Sequence, residues 1–295
     1  YKNLSVYENL YVGDTKIEES SEQWLDGPDL QTYLTETTKS KGFDFRNRLS
    51  LTQQFNSGAQ LGGSYLIATS RPRPTSFSML ENSLSAIDKR INAVTQEGTL
   101  KFLLPLNKKG AAMELTADYL NRHSNECADY SMDNDVVGAT YDKDNLNLWK
   151  FKADFLYPRS SRLSWKFGAS AQWISSTFTP SASIESDRFS VSSIPTGTSG
   201  FTPIVYASAQ GMVWKLRYSA GVNWQLNRIG YHDKQADIKS HNTQWAINPT
   251  VQLMMPFGSK MNHTVMLNYK RTLSDIPYTA ISSVVNWDDP YNYTV

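Results

Sequence analysis

The chain has 295 residues in which 29 Lys plus Arg offset 28 Asp plus Glu, for a net charge of +1 and a charged fraction of 19%; so even a balance argues against a nucleic-acid binder. Mean hydropathy is negative and no apolar run reaches the roughly 18 residues of a spanning helix, which excludes a helical membrane protein. A single Cys excludes an internal disulfide and a Cys-based zinc site.

Tyr1 opens inside a structured segment without the basic-then-apolar pattern of a leader, so the sequence reads as a mature or excised piece forming one domain over 1–295. The first strand pair runs from Phe43 to Phe55, turns at Asn56-Ser57-Gly58 and returns from Ala59 to Thr69. The second runs from Gly98 to Leu106, turns at 107–110 and returns from Ala111 to Asn121.

The third pair carries the clearest signal. Trp149, Phe151, Ala153, Phe155 and Tyr157 alternate with Lys150, Lys152 and Asp154; after a turn at Pro158 to Ser161, Leu163, Trp165, Phe167, Ala169, Ala171 and Trp173 alternate with Ser164, Lys166, Gly168, Ser170 and Gln172. Only a strand sorts neighbours in this way, because period two sends successive side chains to opposite faces. Two further pairs follow, Val205 to Gly211 with Leu216 to Leu226, turning near Met212-Val213, and Trp245 to Met255 with Met261 to Arg271, turning at 257–259. The links between pairs, 70–92, 122–144, 175–202 and 228–242, are long and polar and read as loops.

Short and long links in strict alternation describe a meander crossing an outer membrane, with tight turns at one end and extended extracellular loops at the other. A soluble antiparallel sandwich also alternates, with its apolar face turned inward. Long strands, the link asymmetry, aromatic residues near strand ends and charges in mid-strand favour the membrane. The expected fold is all-β, an antiparallel meander of about 10 to 12 strands forming part of a large transmembrane β-barrel and not closed on its own, with its first and last strands unpaired.

On this reading Lys150, Lys152, Asp154, Lys166, Gln172, Glu114 and Asp118 face a polar lumen, and Trp149, Phe151, Phe155, Trp165, Phe167 and Trp173 form a lipid-facing band. The register expected for the third pair places Asp154 directly opposite Lys166 (residue numbers summing to 320), since the alternative sum of 318 opposes Lys152 to Lys166 and like charges in direct opposition cost roughly 0.2 to 1 kcal/mol.

Few motifs suggest chemistry. Asp133-Asn134-Asp135 with Gly138, Asp142 and Asp144 superficially resembles a calcium loop, but Val137 stands where a ligand belongs, so a solvated acidic loop is the reading. His123, His232, His241 and His263 have no metal-ligand spacing, and Cys127 sits in a predicted loop as a lone thiol. Arg71-Pro72-Arg73-Pro74 reads as a strand stop, and the Ser/Thr-rich 175–200 as a mobile loop. No nucleophile motif is visible; the expectation is no enzyme, no catalytic or metal site and no cofactor.

Two stretches resemble a known family, the outer-membrane β-barrel proteins of Bacteroidetes that are similar to TonB-dependent receptors. One is Trp245-Ala-Ile-Asn-Pro-Thr-Val-Gln-Leu, followed by Asn262-His-Thr-Val-Met-Leu-Asn-Tyr-Lys-Arg and Asp288-Asp-Pro-Tyr-Asn-Tyr-Thr-Val; the other is Leu146-Asn-Leu-Trp-Lys-Phe-Lys-Ala-Asp-Phe-Leu-Tyr-Pro followed by Leu163-Ser-Trp-Lys-Phe-Gly-Ala. Pro203-Ile-Val-Tyr-Ala-Ser-Ala departs from the family pattern. The resemblance implies a barrel of about 22 strands with a plug domain and TonB-type energy coupling in the full-length parent. The expected function is the barrel wall of a nutrient receptor in the cell outer membrane, contacting outer-membrane lipid and taking a small solute, glycan or peptide by long extracellular loops and a polar lumen. The alternative is a structural or adhesion barrel without active transport.

Overall fold

The computed structural model describes residues 3–27, 30–80, 83–160, 162–184, 194–257, 263–271, 286–289 and 292–294. Eleven strands follow in chain order: β1 Leu4–Gly27, β2 Leu30–Gln54, β3 Gln60–Leu80, β4 Ser83–Pro105, β5 Ala112–Met132, β6 Asp135–Ser160, β7 Leu163–Ile184, β8 Thr196–Val213, β9 Leu216–Asp233, β10 Ile238–Phe257 and β11 His263–Lys270. They form one antiparallel sheet in sequence order, and a separate two-stranded ribbon joins β12 (Asn286–Asp289) to β13 (Asn292–Thr294). Among the described residues β1 and β11 do not pair, so the sheet is open, and the strand number falls inside the expected 10 to 12.

The short connections lie where turn chemistry puts them. Gly58 and Gly110 adopt positive φ (83° and 90°) in the turns after β2 and β4, a conformation that a Cβ disfavours. The segments expected to be long loops are instead the outer halves of the strands. Residues 70–80 and 83–92 pair with each other save for one gap, 122–132 pairs with 135–146, and 228–233 pairs with 238–243. Residues 175–184 and 196–202 also belong to strands, and 185–193 lie outside the described residues. The would-be calcium loop is a two-residue hairpin turn in which Asp133 and Asn134 both have positive φ, the conformation of a type I′ turn. Cys127 and His123 are strand residues of β5. The Arg-Pro repeat does not end β3, which continues to Leu80. Its ladder to β2 is unbroken, whereas its register with β4 is interrupted between the pairs Ser70–Ala93 and Thr75–Asp88. The prolines have no N–H to give, and the strand tolerates that on one side only. An initial hairpin, β1 with β2, escaped the sequence reading altogether.

Alternation sorts all eleven strands into two faces, and the burial is inverted relative to a soluble sandwich. On one face Trp149, Phe151 and Trp173 are 47%, 46% and 44% exposed; on the other Asp154, Gln225 and Asn248 are 8%, 7% and 1% exposed. A single-layer sheet buries the face toward which it curls, so this sheet curls around its polar side.

The apolar face is a band with a defined upper edge at the end away from the short turns. On β2 it starts with Phe43 and Phe45 below Lys41, and on β9 with Leu226 and Trp224 below Arg228. The hydrogen-bonded row through Phe45 passes Thr69, Val94, His123, Asn145, Thr177 and Gly197 and meets β9 at His232, eight residues from Trp224. Eight residues over seven strand steps, at about 3.3 Å rise and about 4.8 Å spacing, make the band level only if the strands tilt by about 38°. Transmembrane barrels have strands inclined at about 35 to 45°. From Trp149 to Tyr157 the band covers about 26 Å of strand, or about 20 Å of height at that tilt, the scale of the apolar belt of such barrels.

Above the band polar residues dominate both faces around a small apolar cluster of Ile87, Ala128 and Tyr130 with Val137 against it, and the interior groups there respond to pH. Asp142 on β6 lies opposite Glu126 on β5, and Lys89 reaches Glu126 at 3.4 Å. Burial, reinforced by Glu126 and opposed by Lys89, pushes the Asp142 carboxyl up to about 6. Because its folded value lies above the unfolded one, the folded hairpin retains the proton longer and loses this contribution as pH rises from about 4 to about 6. Asp142→Asn is expected to slow amide exchange in the outer β5–β6 ladder at pH 7.5, with the gain vanishing near pH 4; equal exchange rates in the two proteins at both pH values would contradict it.

Candidate functional site

The polar face between the short turns and the upper edge of the band holds every lumen candidate that the sequence singled out. Register places Asp118, Lys150 and Gln172 in one row and Glu114, Asp154 and Gly168 in another, with Lys152 between the rows and Lys166 two residues from Gly168. The six aromatic band candidates all lie on the opposite face: Trp149 faces Trp173 and Phe155 faces Phe167, Phe151 is two residues from Trp149, and Trp165 is opposite Tyr157. Ring contacts join Tyr119 to Trp149 (4.4 Å between centroids), Phe151 to Trp173 (5.9 Å) and Trp173 to Phe201 (4.8 Å), a belt running across β5 to β8.

The expected register of the β6–β7 hairpin is wrong by two residues. The pairs sum to 322, so Asp154 faces Gly168 and Lys152 faces Ser170, and neither sum weighed from the sequence occurs. Pro158 does not open the turn. The strand runs through it to Ser160, with an irregularity between Pro158 and Ser160 that shifts the pairing. This register also opposes Trp149 to Trp173, a contact worth as much as the charge pairing that the sequence argument relied on.

Asp154 still meets Lys166, but diagonally at 3.4 Å, and meets Lys152 along its own strand at 2.7 Å. The Tyr206 hydroxyl on β8 donates a third bond to it. Across β5 the direct neighbour of Asp154 is another carboxylate, Glu114. Like charges in direct opposition cost energy, and the site offsets this by giving each its own cation, since Lys101 on β4 reaches Glu114 at 2.9 Å. Next to this, Thr99 donates to Asp118 at 3.0 Å. The result is a polar row across β4 to β8 in which the two neighbouring carboxylates each have their own cations, closed on β8 by the Tyr206 hydroxyl. Gly168 makes it fit, because a Cβ there would stand 2.6 Å from the Ala153 carbonyl oxygen and 2.5 Å from the Tyr206 oxygen.

Sequence reasoning missed a second cluster, built of amides. Asn223, Gln225 and Asn227 project from β9 at alternate positions toward Asn248 on β10. Asn248 donates to Asn223 at 2.8 Å and to Gln225 at 3.5 Å, and Gln225 donates to Asn227 at 3.0 Å. The signal was present as three amides at i, i+2 and i+4, the spacing that puts them on one face of a strand. The polar face therefore has a charged half on β4–β8 and a neutral, hydrogen-bonding half on β9 and β10. A hollow of about 690 Å³ lies in the apolar band, where the small Ala117, Ala153, Ala169 and Ala171 sit between Leu100, Phe151 and Val205. It is a thinning of the band and contains no constellation of reactive groups. Among the described residues no three His, Cys, Asp or Glu side chains are placed to hold a metal ion.

No protein-family model matches the chain, and no curated protein matches it. Among solved structures it is similar to the outer membrane protease OmpT from Escherichia coli, at 11% sequence identity and a TM-score of 0.30, over 92% of this chain and 97% of that one. The meander, the inverted burial and the tilt of the band are those of an outer-membrane β-barrel wall. The expectation that the chain is not an enzyme is corrected by this comparison: the solved outer-membrane chain it is matched to is a protease.

Two variants probe this polar row. Asp154→Ala leaves two ammonium groups and a hydroxyl without their acceptor, and should lower stability against urea in vesicles by about 1 to 3 kcal/mol, discounted for the partial exposure of both lysines. Gly168→Val should cost a similar amount, about 1 to 3 kcal/mol, by forcing Tyr206 off Asp154 and crowding the β6 backbone; unchanged urea midpoints would show that the polar face is too loosely held for either contact to matter.

Proposed function

We propose that this chain forms the wall of an outer-membrane receptor or transporter, with lipid against the apolar band and a solute path along the polar face. The observation that carries the reading is the band itself: apolar side chains remain exposed on one face of all eleven strands, and their upper edge is level only at the strand tilt of a transmembrane barrel. Lys150, Lys152, Asp154, Lys166, Gln172, Glu114 and Asp118 then line the lumen, and the amides on β9 and β10 extend that lining.

The resemblance to TonB-dependent receptors of Bacteroidetes supports the finer reading of energised nutrient uptake, in which a plug domain and TonB-type coupling act with this wall and further strands complete the barrel. An array of amides and hydroxyls suits a neutral polyhydroxylated solute such as a glycan, and the charged half suits a zwitterionic peptide. Ligand capture by the projecting hairpins takes the place of capture by loops. An adhesion barrel without transport is the second reading, favoured by one observation: the polar face satisfies its own charges, as a merely filled lumen would.

Spin labels test the face assignment in the Cys127→Ser background. In vesicles a label at Phe151 or Ala153 should be relaxed preferentially by oxygen, and one at Lys150 or Gln172 by a water-soluble nickel chelate; the reverse pattern would sink the membrane reading. Transport is separated from adhesion by whole cells. Lys150→Gln with Lys152→Gln should alter energised uptake of oligosaccharide or oligopeptide probes, whereas binding without uptake that is insensitive to an uncoupler would favour adhesion.

A further inference from the structure

The charge of the two ends of the sheet differs in a way that the solute path does not explain. Around the short turns, residues 50–63, 103–113, 155–167, 209–221 and 254–264 contain no Asp or Glu. Three of these turn regions carry Lys108, Lys109, Arg159, Arg162, Lys215 and Arg217. Among the described residues none of the six has a carboxylate at ion-pair distance, whereas Lys39, Lys89, Arg90 and Lys239, above the band, each have one. Uncompensated cations at one rim of a chain whose net charge is only +1 mark a surface for an anionic partner.

The apolar residues between those cations say which kind. Leu106, Val213 and Trp214 are 51%, 64% and 75% exposed, immediately below the apolar band. Trp214 holds a φ of 55° in the β8–β9 turn, a left-handed conformation rare for a bulky side chain, where Gly or Asn would serve the turn better. The indole is presented at the expense of local turn preference, with the Lys215 ammonium 5.4 Å from its ring. Aromatic and aliphatic side chains interleaved with lysine and arginine suit the boundary where acyl chains meet charged headgroups. An acidic protein would need the cations and not the exposed indole.

We infer that the short-turn rim docks on anionic glycerophospholipid headgroups, with Lys108, Lys109, Arg159 and Lys215 meeting phosphates and Trp214 seated at the acyl boundary, whereas Arg162 and Arg217 line a hollow on the polar face. This rests on the membrane reading above, and the test separates the two. The whole protein is placed in phosphatidylcholine vesicles carrying trace spin-labelled phosphatidylglycerol or spin-labelled phosphatidylcholine, and the relative association of each lipid with the protein is read from the motionally restricted signal. Phosphatidylglycerol should be preferred by about threefold or more, with the preference screened away in 0.5 M salt. Replacing Lys108, Lys109, Arg159 and Lys215 with Gln should abolish the preference, and replacing Lys108, Lys109 and Lys215 with Arg should retain it. Trp214→Gly, which relieves the turn and therefore folds at least as well, should halve the preference or more. Equal association of the two lipids, or a preference that survives the four-fold Gln variant, overturns the proposal while leaving the membrane reading intact. Binding of soluble poly-glutamate to the rim without a lipid preference overturns it in favour of an acidic protein partner. If neither lipid shows a restricted signal, the wall is not in the bilayer and both inferences fall.

Discussion

Everything in this protein depends on register. Side chains on a strand alternate, so a slip of one residue in any of the ten ladders would carry a whole strand's lysines and carboxylates to the apolar face and its tryptophans to the polar one. Within the band the ladders do not slip, the shifts at Tyr130–Ser131 and Pro158–Ser160 lying at hairpin ends, and the rows from Phe45 to His232 run through eight strands without exchanging faces. Asp154 illustrates the dependence, since its two lysines, its tyrosine and the glycine that admits them come from three different strands, β6, β7 and β8. The same constraint makes the outer band continuous, because rings on neighbouring strands meet only when their positions have the same parity.

How much of this could be read in advance follows from where alternation has contrast. Between Trp149 and Trp173 apolar and polar residues alternate cleanly, and the hairpin, its faces and the composition of both were legible. Beyond Trp149 the alternating positions are Asn147, Asn145 and Lys143 against Leu146, Asp144 and Asp142, polar on both faces apart from Leu146, and the pattern that announces a strand disappears although the hydrogen bonds continue. Strands that stand in water on both sides look like loops to any argument built on hydrophobic contrast. The register error has a narrower cause. Pro158 was read as a terminator, and a proline inside an irregular strand end shifts pairing by an amount that cross-strand charge preferences of under 1 kcal/mol cannot determine. The amide cluster went unnoticed for a different reason. The search was for titratable and metal-binding groups, and neutral hydrogen-bonding side chains carry no such flag.

The inverted burial also alters what stability means here. A soluble sheet sandwich gains most from hiding its apolar face between layers; this sheet has one layer, and its apolar face has no protein covering among the described residues. Hydrocarbon is therefore part of the folded state, and the polar interior is held by hydrogen bonds and ion pairs in which each charged partner offsets the desolvation of another. The isolated chain in plain buffer lacks one of its two solvents.

The proline pair in β3 has a mechanical consequence. Pro72 and Pro74 break the ladder to β4 just above the upper edge of the band, where Phe43 of β2 pairs with Arg71, while the ladder between β2 and β3 runs on unbroken. Above that level β1 to β3 and the strands from β4 onward are coupled again only through the outer pairs from Thr75–Asp88 to Leu80–Ser83. The interruption acts as a slot cut into a stiff plate. It is closed below at Ser70–Ala93 and above at Thr75–Asp88, so β3 and β4 stay joined at their tip and bending is concentrated along the gap between these two points while the band below keeps its shape.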